Sequence, residues 1–206
     1  IASSPHLEME GIFTHLSSSE NLLDYNEMQW ELFRRLLDEL AAADIRIPVR
    51  HMSNSGGILN YPSFHLDMVR PGIMSYGIYP SLQTETRAYL KPVMSFKTRV
   101  VLVKTFPAGR SIGYGRSYVT DRPTKIATIP VGYGDGYGVI LSNRGEVLIR
   151  GKRAPIVGRV SMDMCTVDVS RVEDCRVDDE VVLLGRQGED AITANEIAEK
   201  VKTISY

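Results

Sequence analysis

The sequence predicts two unlike regions in one chain: an α/β region over residues 1–85 and an all-β region over residues 86–206. Three observations predict this. In the first 80 residues short apolar runs alternate with one strong amphipathic helix, the rhythm of a parallel βα fold. From Leu90 onward, runs rich in β-branched residues recur at short intervals between glycines and prolines. Between the two lies Ser81-Leu82-Gln83-Thr84-Glu85-Thr86, polar and without a period.

Gly11-Ile12-Phe13-Thr14-His15 is a short apolar run closed by serines, which reads as a buried strand. Asp24 and Glu27 fit a capping box. Met28, Leu32, Phe33, Leu36, Leu37 and Leu40 then recur at helical spacing with charged residues between them, a helix of about five turns. Residues 45–51 are a second strand, followed by Met52-Ser53-Asn54-Ser55-Gly56-Gly57, and residues 68–76 are a third. Polar residues stand just after each run, at strand C-terminal ends, where (β/α) barrels build their sites. Three strands do not close such a barrel. In the second region strands are expected over 99–104, 125–131, 146–150, 165–169 and 180–184. Thr193 and Glu196 cap a short helix that turns Ile197, Ala198 and Val201 inward.

The formal charge is -1, from 24 basic and 25 acidic residues, so the basic excess of a nucleic-acid binder is missing. No apolar run approaches the roughly 18 residues of a membrane span. Neither nucleic acid nor membrane is therefore expected as a partner. Cys165 and Cys175 are too few for a disulfide scaffold and lack metal-ligand spacing, and the histidines are scattered, so no metal site is expected. A reducing, cytoplasmic location is the default. The chain has neither an initiator methionine nor a signal peptide, and residues 203–206 read like a strand cut partway, so the sequence reads as a piece of something longer.

Asn54-Ser55-Gly56-Gly57 offers backbone N–H groups to an anion at a helix start, or forms a plain βα turn. Arg70-Pro71-Gly72-Ile73 sets a permanent cation at a strand end. Tyr114 lies between Gly113 and Gly115, and Tyr133 between Gly132 and Gly134, on backbone that can approach a ligand closely or simply turn.

Gly11-Ile12-Phe13-Thr14-His15, His51-Met52-Ser53-Asn54-Ser55 and Asp67-Met68-Val69-Arg70-Pro71-Gly72-Ile73, in this order, resemble alanine racemase. The resemblance continues through Ser111-Ile112-Gly113-Tyr114-Gly115, Ile129-Pro130-Val131-Gly132-Tyr133-Gly134-Asp135-Gly136 and Pro155-Ile156-Val157-Gly158-Arg159-Val160-Ser161-Met162-Asp163, and covers nearly the whole chain. It implies the C-terminal part of a (β/α)8 barrel that binds pyridoxal 5'-phosphate (PLP), followed by a small β-barrel-like domain. It also implies a bacterial, homodimeric isomerase that makes D-alanine for peptidoglycan. In that family two bases, the PLP lysine and a tyrosine, act on opposite faces of the substrate–PLP aldimine.

Residue by residue, the resemblance makes Tyr114 the tyrosine base and His51 its link to Arg70, which faces the pyridine nitrogen. His15 stands beside the ring. Ser55, Gly72 and Ile73 contribute to the phosphate cradle, with Asn54 beside them. Tyr133 and Met162 lie at the substrate end, Met162 acting through its backbone, and Asp163 is next to it. The family's PLP lysine, its substrate-carboxylate arginine and a phosphate-binding tyrosine have no counterpart in this chain, so the chain alone is expected to be inactive. A serine racemase of the same fold and a non-catalytic dimerisation module are the alternatives. A related barrel decarboxylase would place an acidic residue where Arg70 stands.

Overall fold

A computed structural model describes residues 4–21, 24–81, 84 and 87–206. The chain folds as two compact units, Ile1–Val93 and Met94–Tyr206. Residues 87–93 pack with the first unit because Tyr79 reaches them: its hydroxyl donates to Ala88 O and accepts from Leu90 N, both at 2.9 Å.

In the first unit, strand β1 (Gly11–Phe13) pairs in parallel with β2 (Val49–His51) in register Phe13 to His51. Helix α1 (Asp24–Ala42) crosses over between them. It has the expected length, but Asp24 lies inside it, and the capping position falls at residue 23, outside the described residues. The expected apolar face is split. Phe33 is buried, and Trp30 and Leu37 pack with it on Leu16, Met52 and Phe64, whereas Met28, Leu32 and Leu36 are exposed. Helix α2 (Ser55–Asn60) starts on Asn54, whose side chain accepts from Gly57 N at 3.0 Å.

The third expected strand, over 68–76, does not form. Its segment makes only spaced backbone bonds to the β2 side, Asp67 N to Arg50 O and Arg70 N to Ser53 O, and then Ile73–Tyr76 closes into a 3-10 turn. Pro71 has no N–H to extend a ladder, which ends the pairing there.

The second unit is all β until its last helix. Strands β3 (Phe96–Arg99) and β4 (Leu102–Phe106) stand where one run over 99–104 was expected. The chain changes sheets between them, because Val100 N bonds Asp179 O while Val101 N bonds Thr128 O. Strand β5 (Ser111–Ile112) pairs with β6 (Tyr118–Val119) around the loop that carries Tyr114. Then follow β7 (Thr124–Ile129), β8 (Glu146–Ile149), β9 (Lys152–Pro155), β10 (Cys165–Asp168), β11 (Glu180–Gln187), β12 (Asp190–Ile192) and helix α3 (Ala194–Val201). One sheet runs β10-β7-β4; another runs β12-β11-β8-β9, with β3 also on β11.

Central strands are buried on both faces. Val147, Ile149, Val181 and Leu183 enter the main core, while Leu148 and Val182 pack with Ile192 under Ile197 of α3. Thr193 caps α3 by accepting from Glu196 N at 3.1 Å. Arg153 on β9 ties the helix down, with Nη1 on Glu196 at 2.6 Å and Nε on Asp190 at 2.8 Å. Residues 203–206 form no strand.

Candidate active site

The first unit gathers four of the expected residues. β1 and β2 run side by side, so the residues at their C-terminal ends, Phe13 to His15 and His51, converge on Arg70. The Arg70 guanidinium donates through Nη2 to Thr14 O at 2.9 Å and through Nη1 to His51 Nδ1. It lies 5.0 Å from the Phe13 ring centre, and that ring is stacked on His51 at 5.3 Å. Guanidinium has no acceptor, so Nδ1 of His51 accepts and Nε2 carries the proton. Burial, then the Arg70 charge, hold His51 below the ordinary imidazole range. Partial burial lowers Arg70 as well, yet a guanidinium stays charged at any physiological pH.

His15 meets donors at both ring nitrogens, Arg70 Nη2 at Nδ1 and Asn54 Nδ2 at Nε2, each at 3.2 Å. A neutral imidazole accepts at one nitrogen only, so one of these contacts is not a hydrogen bond. Asn54 Oδ1 is committed to the cap of α2 and to Ser19 Oγ at 2.5 Å.

Ser55, Gly72 and Ile73 form a second group in this unit. Ser55 Oγ accepts from Gly72 N at 3.0 Å and from Met74 N at 3.3 Å, which leaves its own proton to donate outward. A Cβ on Gly72 would stand 3.8 Å from that oxygen, in ordinary van der Waals contact. The donor set suits PLP: the Ser55 hydroxyl proton for a phosphate, a fixed cation for a ring nitrogen, and an imidazole for a ring face.

Outside the expected set, Asp67 grips the strand beside His51. Its carboxylate takes Arg50 Nε at 2.7 Å, Nη2 at 3.0 Å and the Arg50 backbone N–H at 2.9 Å. These donors hold the Asp67 pKa down to about 2.

The second unit holds the other expected residues. Tyr114 is 72% exposed on a 3-10 turn, with Gly113, Gly115 and Arg116 all at positive φ. It lines a cavity of about 390 Å³ with Thr128, Arg159, Ser161, Cys165 and Thr166. Burial pushes the Cys165 thiol up to about 12, so it is a neutral wall there. Tyr133 stands on a turn seated on the same segment, with Tyr133 N on Ser161 O at 2.9 Å and Gly134 N on Met162 O at 2.8 Å. Met162 thus spends its carbonyl on the Tyr133 turn, and its side chain is exposed, as is Asp163.

Residue type alone did not single out Phe13, the Thr14 carbonyl or Arg159. All three lie inside the motifs that carry the resemblance, and a wider reading of those motifs is the signal that would have found them.

The family model described as "Alanine racemase, N-terminal domain" matches residues 1–80, and "Alanine racemase, C-terminal domain" matches residues 93–206. An alanine racemase of Halothermothrix orenii is 50% identical over 207 aligned residues, covering 100% of this chain and 55% of that protein. The alanine racemase of Bacillus anthracis with bound L-Ala-P superposes with a TM-score of 0.92 at 34% identity, over 98% of this chain and 52% of that one. The Bartonella henselae alanine racemase with covalently bound pyridoxal phosphate gives 0.85 at 34% identity, over 96% of this chain and 53% of that one. The chain spans about half the length of the relatives it matches.

Proposed function

The chain belongs to the alanine racemase family, and on that premise we propose that it carries part of a PLP-dependent homodimeric enzyme that interconverts L- and D-alanine. The observation that carries the reading is Arg70, a guanidinium held by Thr14 O, His51 and the Phe13 ring, with Ser55 Oγ and the Gly72 backbone following it in the same unit.

PLP supplies, when bound, the electron sink that lets a Cα proton leave. The residues of this chain decide the rest. Ser55, Gly72 and Ile73 would hold the phosphate, and His15 would pack by the ring. Arg70 would meet the ring nitrogen and give it no proton, because a guanidinium keeps its own. By withholding a proton there, Arg70 would disfavour transamination. Tyr114 takes the Cα proton from one face, or returns one to it, through its phenol oxygen. Tyr133 and Met162 border the substrate. His51, neutral and accepting at Nδ1, links Arg70 to the base.

Tyr114 belongs to a separate compact unit from Arg70. Two copies related by a two-fold make two identical sites, each with Tyr114 from the other copy. Mixing two inactive subunits tests this, one with Tyr114→Phe and one with Arg70→Glu, in the racemase that carries this sequence. The proposal predicts about one working site per mixed dimer, read as D-alanine formed from L-alanine. Mixed dimers that form and stay inactive would place Tyr114 in cis.

A further inference from the structure

Asn143 belongs to none of the motifs, yet its side chain joins the end of the Tyr114 turn to Gly158, the neighbour of the cavity-lining Arg159. Its Oδ1 accepts from Gly158 N at 2.7 Å, and its Nδ2 donates to Ser117 O at 3.2 Å. The amide has one orientation here, since Gly158 offers only a donor and Ser117 only an acceptor.

Ser117 ends the Tyr114 turn. Gly158 lies against the start of that turn: a Cβ on Gly113 would stand 2.9 Å from Arg159 N, and one on Gly158 would stand 3.0 Å from Ile112 O. The two glycine segments therefore lie backbone to backbone, and the Asn143 amide is the bridge beside them. Ser142 holds the same segment one step on, its Oγ accepting from Val160 N at 3.0 Å. Asn143 itself sits at φ 55°, a conformation that asparagine adopts more readily than most residues.

The pairing of β5 with β6 holds the two ends of the turn, and between them its outer side is open. Gly115 and Arg116, which follow the tyrosine, are at φ 69° and 52°, and a Cβ on Gly115 would meet nothing within 4 Å.

We infer that Asn143 is a positioning residue for Tyr114: its amide sets the turn that carries the phenol against the Gly158–Arg159 wall and so fixes where the phenol oxygen meets the substrate. This rests on the reading of Tyr114 as a base. Asparagine is specific to the task, because aspartate would keep the bond to Gly158 N and turn a second acceptor on Ser117 O.

The test uses Asn143→Gly, which loses both bonds without strain at positive φ, Asn143→Asp, which loses the Ser117 bond, and Ser142→Ala as a neighbour control, all in the racemase that carries this sequence. A displaced general base costs on the order of 10- to 100-fold. Asn143→Gly should therefore lower kcat by about that factor with KM changed less than about threefold, and Asn143→Asp should fall between it and the parent. The Cα-deuterium isotope effect should rise in the direction in which Tyr114 abstracts the proton and fall in the other. Loss of folded protein would scale kcat and leave isotope effects alone. Parental isotope effects in Asn143→Gly, or an equal change in Ser142→Ala, would overturn the inference. A Tyr114→Phe control with parental isotope effects in both directions would instead overturn the reading of Tyr114.

Discussion

Arg70 donates to Nδ1 of His51, and both groups share the Phe13 ring, which lies 5.0 Å from the guanidinium carbon and 5.3 Å from the imidazole centre. The arrangement keeps the imidazole neutral. Burial lowers its pKa first and the Arg70 charge second. Such a histidine is uncharged in the fold and charged in the unfolded chain below about pH 6.5. Stability is therefore full above that value and declines as the pH falls through it toward the folded pKa. Arg70→Met should raise the His51 pKa part of the way to the ordinary value, read from the imidazole C–H resonances. A lower pKa in the variant would contradict the electrostatic account.

Asp67 gives the opposite class of titration. Its carboxyl is held at about 2 against an ordinary 3.8, so its contribution is present above about pH 3.8 and lost as the pH falls toward 2. Asp67→Asn should lower the urea midpoint by a constant amount above pH 4, and the difference should shrink below it. A difference that grows on acidification would reverse the assignment.

Gly132 is required for a steric reason rather than a torsional one. Its φ of -147° suits any residue, but a Cβ there would stand 2.2 Å from Ser161 O and 2.4 Å from Met162 C. Gly132→Ala should destabilise by about 1–3 kcal/mol in chemical denaturation, the usual range for overpacking. An unchanged midpoint would mean that the 161–162 segment yields freely.

No lysine precedes Lys91 in the sequence. On the function proposed above, none of Lys91, Lys97, Lys104, Lys125, Lys152, Lys200 and Lys202 is the lysine that carries PLP. This chain alone should therefore show no stoichiometric PLP adduct after borohydride reduction, by intact mass, and no racemase activity. One full-occupancy adduct on any of these lysines would contradict that.

Much of this was readable in the order of residues. Five of the β-branched runs became strands because β-branched preference and glycine and proline punctuation act locally, and Glu146 and Cys165 open their strands as expected. The face of α1 was not readable: Met28 and Phe33 are equally apolar, and only the position of Leu16, Met52 and Phe64 decides which of them is buried. The strand expected over 68–76 failed because an apolar run says nothing about whether its neighbour offers a continuous ladder. At the site, Arg70 stood out by type, whereas His15 and His51 were reached only through the resemblance. Asn143 did not, since a bridge from Ser117 to Gly158 spans segments 26 and 15 residues away and leaves no local pattern.

The central claim is that Tyr114 serves one face of the substrate and a base outside this chain serves the other. Alanine incubated in D2O with the Tyr114→Phe racemase tests it most directly, with the Cα proton of each enantiomer followed separately by NMR. The account predicts that one enantiomer still exchanges its Cα proton, the other does not, and neither yields its mirror image, while PLP stays bound. Exchange of both enantiomers at parental rates would contradict it.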